Sequence, residues 1–347
     1  MIGKKKKVLN FIFVLFCFIL TIRYVLHGED LASIALYMKN ANSWYWVAGV
    51  LFVLIFILSE SAILFYLLST LRSKTKFSHC CLYSFVGFFF SCITPSASGG
   101  QPVQAVFMRK DDIAIHVSTV VLLIVTISYK TVLILYGLLI LIFQPATVMY
   151  YLDGVMHWFY LGLGLNIAVV GFMILLAVKP KIVEAIVMAL FCLMVRISGS
   201  KKLEHYRRRI AGAMENYVEK SEFLTTHKLL MFKIFVITFF QRTLLFAITY
   251  MVCISFGKNN LNFLNVTFLQ GAISVAVDML PLPGGMGISE YLFLLVFQPA
   301  YGKNFAVPIM IVSRGISYYT QLIISAIMSF VAYSKFYGLH FWRKDES

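Results

Sequence analysis

The chain has 347 residues, of which 60% are hydrophobic and only 13% are charged. Its mean hydropathy of +0.85 excludes an ordinary soluble globular protein and indicates a protein that lies in a membrane. The formal net charge of +15 is typical of membrane topology signals and of attraction to anionic lipid, so no nucleic-acid partner is expected.

Several apolar runs are long enough to cross about 30 Å of hydrocarbon, and two more contain breaks. The sequence therefore predicts an all-α integral membrane protein, one polytopic domain over residues 1–347, with about six full spans and two opposed re-entrant hairpins. The predicted spans cover residues 8–26, 46–70, 115–143, 157–178, 229–256 and 305–333. The predicted hairpins cover residues 81–108 and 263–298.

The two breaks are blocks rich in proline and glycine, which cannot continue a helix. The first reads Thr94-Pro95-Ser96-Ala97-Ser98-Gly99-Gly100-Gln101-Pro102, and the second reads Pro281-Leu282-Pro283-Gly284-Gly285-Met286-Gly287. Broken backbone at membrane depth is tolerated only where protein buries it or where it lines a wet cavity. A matched pair, one in each half, indicates a transporter's binding site within an inverted repeat.

The distribution of lysine and arginine predicts that both termini are cytoplasmic. The inner side then holds most basic residues, while the outer loops hold only Lys39, Lys258 and Lys303. In this arrangement the two hairpins enter from opposite faces. An amphipathic connector over residues 182–228 either lies on the cytoplasmic leaflet or packs on the membrane domain as a solvated helix.

Ionisable residues inside the apolar runs are candidates for function. Each costs at least about 2.5 kcal/mol at membrane depth, so it faces the protein interior or water. Arg242 and Arg314 are predicted to hold a phosphate, because a planar guanidinium binds two oxygens. Glu60, Lys130 and Asp278 are candidates for charge pairing. The alternative is that all of these residues form structural ion pairs that hold the helices together.

Polar groups at the hairpin tips complete the predicted lipid-binding site. Their hydroxyl, amide and backbone N–H groups can bond a headgroup, and a half-helix beginning at Pro102 would direct its N-terminus at an anion. Besides the two arginines, the predicted site comprises Ser96, Ser98, Gly99, Gly100, Gln101, Gln104, Gly284, Gly285 and Glu290. The alternative is that these segments are only tight turns.

Motifs for nucleotide and metal chemistry are absent from the sequence. There is no Walker A pattern, no HExxH and no CxxC. Neither a cofactor, a metal ion nor a catalytic residue is therefore predicted.

The first block, extended through Val103-Gln104-Ala105, resembles the flippase-like membrane domain of bacterial lysylphosphatidylglycerol synthases, also called multiple peptide resistance factors. The second block, extended to Glu290, and the late Arg314 are similar to the same family. The resemblance implies movement of phospholipid across the bacterial cytoplasmic membrane, with an anionic or aminoacylated phosphatidylglycerol as cargo. It also implies a link to resistance against cationic antimicrobial peptides.

Full-length relatives carry a soluble C-terminal domain that transfers lysine from lysyl-tRNA, whereas this chain ends at Ser347. A flippase without transferase activity is therefore predicted. Two alternatives are open, namely a phosphatidylglycerol lysyltransferase and a membrane partner of a separate synthase. The expected partners are anionic membrane phospholipids, a separate lipid-modifying enzyme and further copies of the chain.

Overall fold

The computed structural model describes residues 31–73, 75–178 and 227–337, and these residues are almost entirely helical. The first predicted span, at residues 8–26, and the predicted connector from 182 to 226 lie outside the described residues. The helices in chain order are α1 (Leu31–Asn40), α2 (Trp44–Thr70), α3 (Phe77–Cys92), α4 (Gly100–Lys110), α5 (Ile115–Phe143), α6 (Ala146–Leu152), α7 (Met156–Val178), α8 (Lys228–Ser255), α9 (Phe263–Val277), α10 (Ile288–Tyr301), α11 (Lys303–Arg314) and α12 (Gln321–Tyr337).

Five helical segments in the described ranges are long and apolar enough to cross a membrane. Even α2, with 27 residues, is about 40 Å long at about 1.5 Å per residue, which exceeds the hydrocarbon thickness of about 30 Å. The predicted all-α membrane class is therefore confirmed. The spanning segments are Trp44–Thr70, Ile115–Phe143, Ala146–Leu175, Lys228–Ser255 and Lys303–Phe336.

Two of these spans contain local departures from the α-helix. The span predicted to begin at residue 157 instead begins at Ala146, and a short 3₁₀ turn, Asp153–Val155, joins α6 to α7. Pro145 precedes α6, a position where its missing N–H costs nothing. In the last span a π-helical segment, Gly315–Thr320, joins α11 to α12.

Each predicted hairpin is a pair of short helices joined by a loop. Residues 93–99 connect α3 to α4, and residues 278–287 connect α9 to α10. With 16 residues in α3 and 15 in α9, these helices are about 24 and 22 Å long, too short to cross the hydrocarbon. The order of span, hairpin and span therefore occurs twice in the described chain.

The hairpin tips turn on residues with left-handed backbone. The angle φ is +49° at Ser96 and +54° at Ala97 in the first tip, and +56°, +66° and +85° at Gly284, Gly285 and Gly287 in the second. Glycine adopts this region freely, whereas other residues lose about 1–2 kcal/mol there. The first tip therefore carries backbone strain that the second avoids.

The two tips contact each other where the two halves of the chain meet. An isolated antiparallel β-bridge pairs Pro95 with Pro283. The Ser96 hydroxyl donates to the carbonyl of Leu280 over 3.1 Å. The Tyr318 hydroxyl, from the π-helical segment, donates to the last carbonyl of α3 over 2.9 Å. Hairpins from opposite halves of the chain are thus joined tip to tip.

Aromatic side chains pack two of the spans together. Tyr136 of α5 stacks on Phe239 of α8, with ring centroids 5.6 Å apart, and meets Phe246 edge-on at 5.1 Å. Its hydroxyl lies 2.6 Å from that of Thr243. This buried cluster holds α5, which carries Lys130, against α8, which carries Arg242.

Candidate functional site

A cavity of about 340 Å³ lies between the hairpin tips and the surrounding spans. Both halves of the chain contribute to its wall. Of the predicted binding residues, Ser96, Ser98, Gln101, Gln104, Arg242 and Gly284 line it. All three residues predicted for charge pairing, Glu60, Lys130 and Asp278, line it as well.

Arg242 of α8 brings a positive charge to this cavity and forms no salt bridge with any described residue. Its guanidinium carbon lies 3.7 Å from the centroid of the Tyr129 ring and 4.9 Å from that of Phe56. Its Nε is buried and has no hydrogen-bond partner in the structure. No carboxylate among the described residues lies within ion-pairing distance. Because buried donors are almost always satisfied, the Arg242 Nε is a candidate for binding a ligand.

Glu60 of α2 lies on the wall of the same cavity and is only 9% exposed. Its Oε1 accepts a hydrogen bond from Nε2 of Gln104 on α4 over 3.2 Å. Gly87 of α3 makes room for this amide, because a Cβ at Gly87 would lie 2.2 Å from the Gln104 Nε2. A Cβ at Gly100 would lie 2.6 Å from the Gly87 carbonyl oxygen. The close approach of α3 and α4 therefore positions the amide that holds Glu60.

Lys130 and Asp278 form an ion pair across the two halves. Lys130 Nζ lies 2.7 Å from Asp278 Oδ2, and each side chain is 10% exposed. The Tyr129 hydroxyl donates to the other oxygen of Asp278. Asp278 directly follows α9, so this pair fixes the start of the second tip to α5. Tyr129 connects the ion pair to Arg242, since its ring faces the guanidinium.

Glu290 and Arg314, both predicted to bind lipid, pair with each other beside the cavity. Arg314 Nε donates to Glu290 Oε1 over 2.8 Å, and the Glu290 side chain is 3% exposed. An Arg314 terminal nitrogen also donates to the carbonyl of Gly284 over 3.0 Å, and Glu290 accepts from the N–H of Gly287 over 2.8 Å. Neither residue is part of the cavity wall. In this structure the pair shapes the second tip.

The predicted glycines of the tips serve the turns. The N–H of Gly99 donates to the Thr94 hydroxyl over 2.9 Å, and that of Gly285 donates to the carbonyl of Leu282 over 3.2 Å. Neither these two glycines nor Gly100 lines the cavity. The helix predicted to begin at Pro102 begins at Gly100, two residues earlier.

Three polar residues outside the predicted site also line the cavity, namely Thr126, Tyr129 and Gln241. The Gln101 amide donates to the hydroxyl of Thr126, and Gln241 donates to a backbone carbonyl of α2 over 2.8 Å. Tyr129 is the most consequential of these residues because it contacts both Arg242 and Asp278. Its one signal in the sequence is its position next to Lys130 in an apolar run.

These features define a multi-pass α-helical membrane protein with a charged cavity at the junction of two short hairpins. A family model described as the lysylphosphatidylglycerol synthase TM region matches residues 8–325. The chain belongs to this family, and the resemblance inferred from its two proline- and glycine-rich blocks is confirmed. A comparison with curated proteins found no match.

Proposed function

We propose that this chain moves a phospholipid across the cytoplasmic membrane of a bacterium, with the headgroup in the central cavity and its phosphate on Arg242. The unpaired guanidinium carries the proposal. A cation at membrane depth normally has an anionic partner or water beside it. The phosphate of a lipid is the anion that a membrane supplies.

The surroundings of Arg242 suit a phosphate. The rings of Tyr129 and Phe56, 3.7 and 4.9 Å from the guanidinium carbon, hold the group by cation–π attraction of about 0.5–2 kcal/mol. A guanidinium fixed in this way offers two parallel N–H donors to two phosphate oxygens. Fixing it before the lipid arrives also reduces the side-chain entropy lost on binding.

The size of the cavity favours a headgroup as its occupant. Its volume of about 340 Å³ is at the low end of the range for small-molecule sites, about 300–1,000 Å³. A glycerophosphate group fits such a space while the acyl chains remain in the surrounding bilayer. Membership of the family supports a phosphatidylglycerol-type lipid, anionic or aminoacylated. Outward movement of an aminoacylated lipid would reduce the negative surface charge that attracts cationic peptides.

Purified protein in liposomes containing fluorescently labelled phosphatidylglycerol tests this function. A membrane-impermeant reductant destroys the label in the outer leaflet, so transport brings the remaining label within its reach. We expect Arg242→Gln to slow transport about tenfold or more, because a charge-assisted hydrogen bond contributes about 1.5–3 kcal/mol. Lys233→Gln is the matched control, since Lys233 lies exposed on the same helix. Equal rates for the wild type and Arg242→Gln would refute the proposal.

The same preparation separates transport from the transferase alternative. With lysyl-tRNA and phosphatidylglycerol added, a new aminoacylated lipid would favour the enzyme. Transport without a new lipid would favour the translocator. Stabilisation of a separate synthase, without transport in liposomes, would favour the membrane-partner alternative.

A further inference from the structure

Two opposite charges in the cavity form no salt bridge within the part of the chain that the structure describes. The Nε of Arg242 also has no hydrogen-bond partner among the described residues. The hydrogen bond that the structure gives Glu60 comes from the neutral amide of Gln104, over 3.2 Å. Glu60 and Arg242 both line the cavity, yet they are too far apart to form a salt bridge. The cavity therefore holds a carboxylate and a guanidinium of opposite charge that no salt bridge joins.

The other titratable groups facing this space already have partners or are neutral. Lys130 and Asp278 neutralise each other at 2.7 Å, and the hydroxyl of Tyr129 donates to Asp278. The Tyr318 hydroxyl donates to a carbonyl of α3. Helix α4 contributes only the amides of Gln101 and Gln104 and the tip hydroxyls that precede it. Six titratable or charged groups line the cavity together with Glu60. They are Cys92 from α3, Tyr129 and Lys130 from α5, Arg242 from α8, Asp278 at the end of α9, and Tyr318.

Binding of an anion changes the net charge of the cavity. A phosphate on Arg242 adds one negative charge, so an ionised Glu60 would leave the cavity with a net charge of minus one. An uncompensated charge in such surroundings is costly. A headgroup with its own ammonium can restore neutrality by placing that ammonium on Glu60. Phosphatidylglycerol has no ammonium, so neutrality requires another cation.

We infer that a phospholipid headgroup lacking an ammonium enters the cavity together with one proton, which Glu60 binds. This inference rests on the proposed function. A buffer acid in the aqueous phase gives up the proton and remains there as its conjugate base; the proton forms an O–H bond on a carboxylate oxygen of Glu60, while the phosphate remains ionised on Arg242. The neutral acid still has an oxygen that accepts from Gln104. Headgroups with an ammonium bind without taking up a proton. The number of protons bound per lipid therefore differs between lipids with an ammonium and lipids without one.

Calorimetry on the full chain in lipid nanodiscs measures that count. The probe is dihexanoyl phosphatidylglycerol, which is soluble as a monomer. Its phosphodiester stays ionised near neutral pH, so any proton taken up is bound by the protein. Titrations in two buffers of different ionisation enthalpy give the number of protons per lipid. We expect about one proton, and an affinity that falls by up to about tenfold per pH unit as pH rises.

Three comparisons make the test specific. Dihexanoyl phosphatidylethanolamine, which carries an ammonium, should bind with no proton uptake. Glu60→Gln should bind phosphatidylglycerol with no proton uptake and with an affinity independent of pH. Asp153→Asn changes an exposed carboxylate outside the cavity and should behave as the wild type. A thermal melt establishes that Glu60→Gln is folded; if it is not, the wild-type titrations decide.

The titrations test the proton uptake, its assignment to Glu60 and the proposed function separately. Wild-type protein that binds phosphatidylglycerol with no proton uptake overturns the inference and leaves the proposed function intact. Uptake that persists in folded Glu60→Gln overturns the assignment to Glu60. Wild-type protein that binds neither lipid overturns the inference together with the proposed function.

Discussion

The ion pair between Lys130 and Asp278 allows a quantitative test of how the two halves of the molecule are joined. Their charged atoms lie 2.7 Å apart and each side chain is 10% exposed. Removing one partner leaves the other as a buried, uncompensated charge, at a cost of about 3–5 kcal/mol. We expect Lys130→Met and Asp278→Asn each to lower the free energy of unfolding by about 3 kcal/mol, because the slight exposure places them at the low end.

The double variant, Lys130→Met with Asp278→Asn, removes both charges together. We expect it to be about 2 kcal/mol more stable than the sum of the single effects predicts, which is a typical coupling between residues in contact. Equilibrium unfolding in mixed micelles, followed by tryptophan fluorescence, measures all four proteins. Lys233→Met, at an exposed site, should stay within about 0.5 kcal/mol of the wild type. Single effects that simply add would refute the reasoning.

Four further variants test the tips and the cavity. Gly87→Ala would place a Cβ 2.2 Å from Gln104 Nε2. We expect the added methyl group to displace the Gln104 amide and to slow lipid transport. A wild-type transport rate in liposomes would contradict this expectation. Pro95→Cys with Pro283→Cys, in a background without the six native cysteines, should form a disulfide under mild oxidation. The reason is that paired residues in a β-bridge have Cα atoms about 4.5–5.5 Å apart. Mass spectrometry that finds no cross-link would show that the tips do not meet. Tyr129→Phe keeps the ring on the guanidinium and loses one hydrogen bond, so it should cost about 1 kcal/mol of stability and retain transport. Tyr129→Leu loses the ring and should lose transport, and equal transport rates in the two variants would argue against a role for the ring.

The spans were predictable because polar residues and prolines interrupt the apolar runs. The span predicted at 115–143 is observed as Ile115–Phe143, since Asp112 precedes it and Pro145 follows it. The next span was predicted to begin too late. Asp153 and Gly154 have the composition of a loop, but in the structure they form one 3₁₀ turn that continues the helical path.

The sequence could not predict which charged residues pair with each other. An arginine in an apolar helix is a candidate for binding an anion, and the sequence predicted this role for both Arg242 and Arg314. Which of the two lacks a partner depends on how the second tip folds back, since that fold brings Glu290 to Arg314. Tyr129 could not be singled out, because an aromatic residue in an apolar helix has the same pattern whether it packs in the core or holds a guanidinium.

The hydrogen bond from Ser96 to Leu280 joins residues 184 positions apart in the chain. A ribosome adding about 5–20 residues per second makes the second of them about 10–40 s after the first. Throughout that interval Ser96 is present in the nascent chain without the carbonyl to which it donates in the final structure. Biogenesis of this protein therefore includes a waiting period, which ends only when the later half has been inserted and has reached the earlier one.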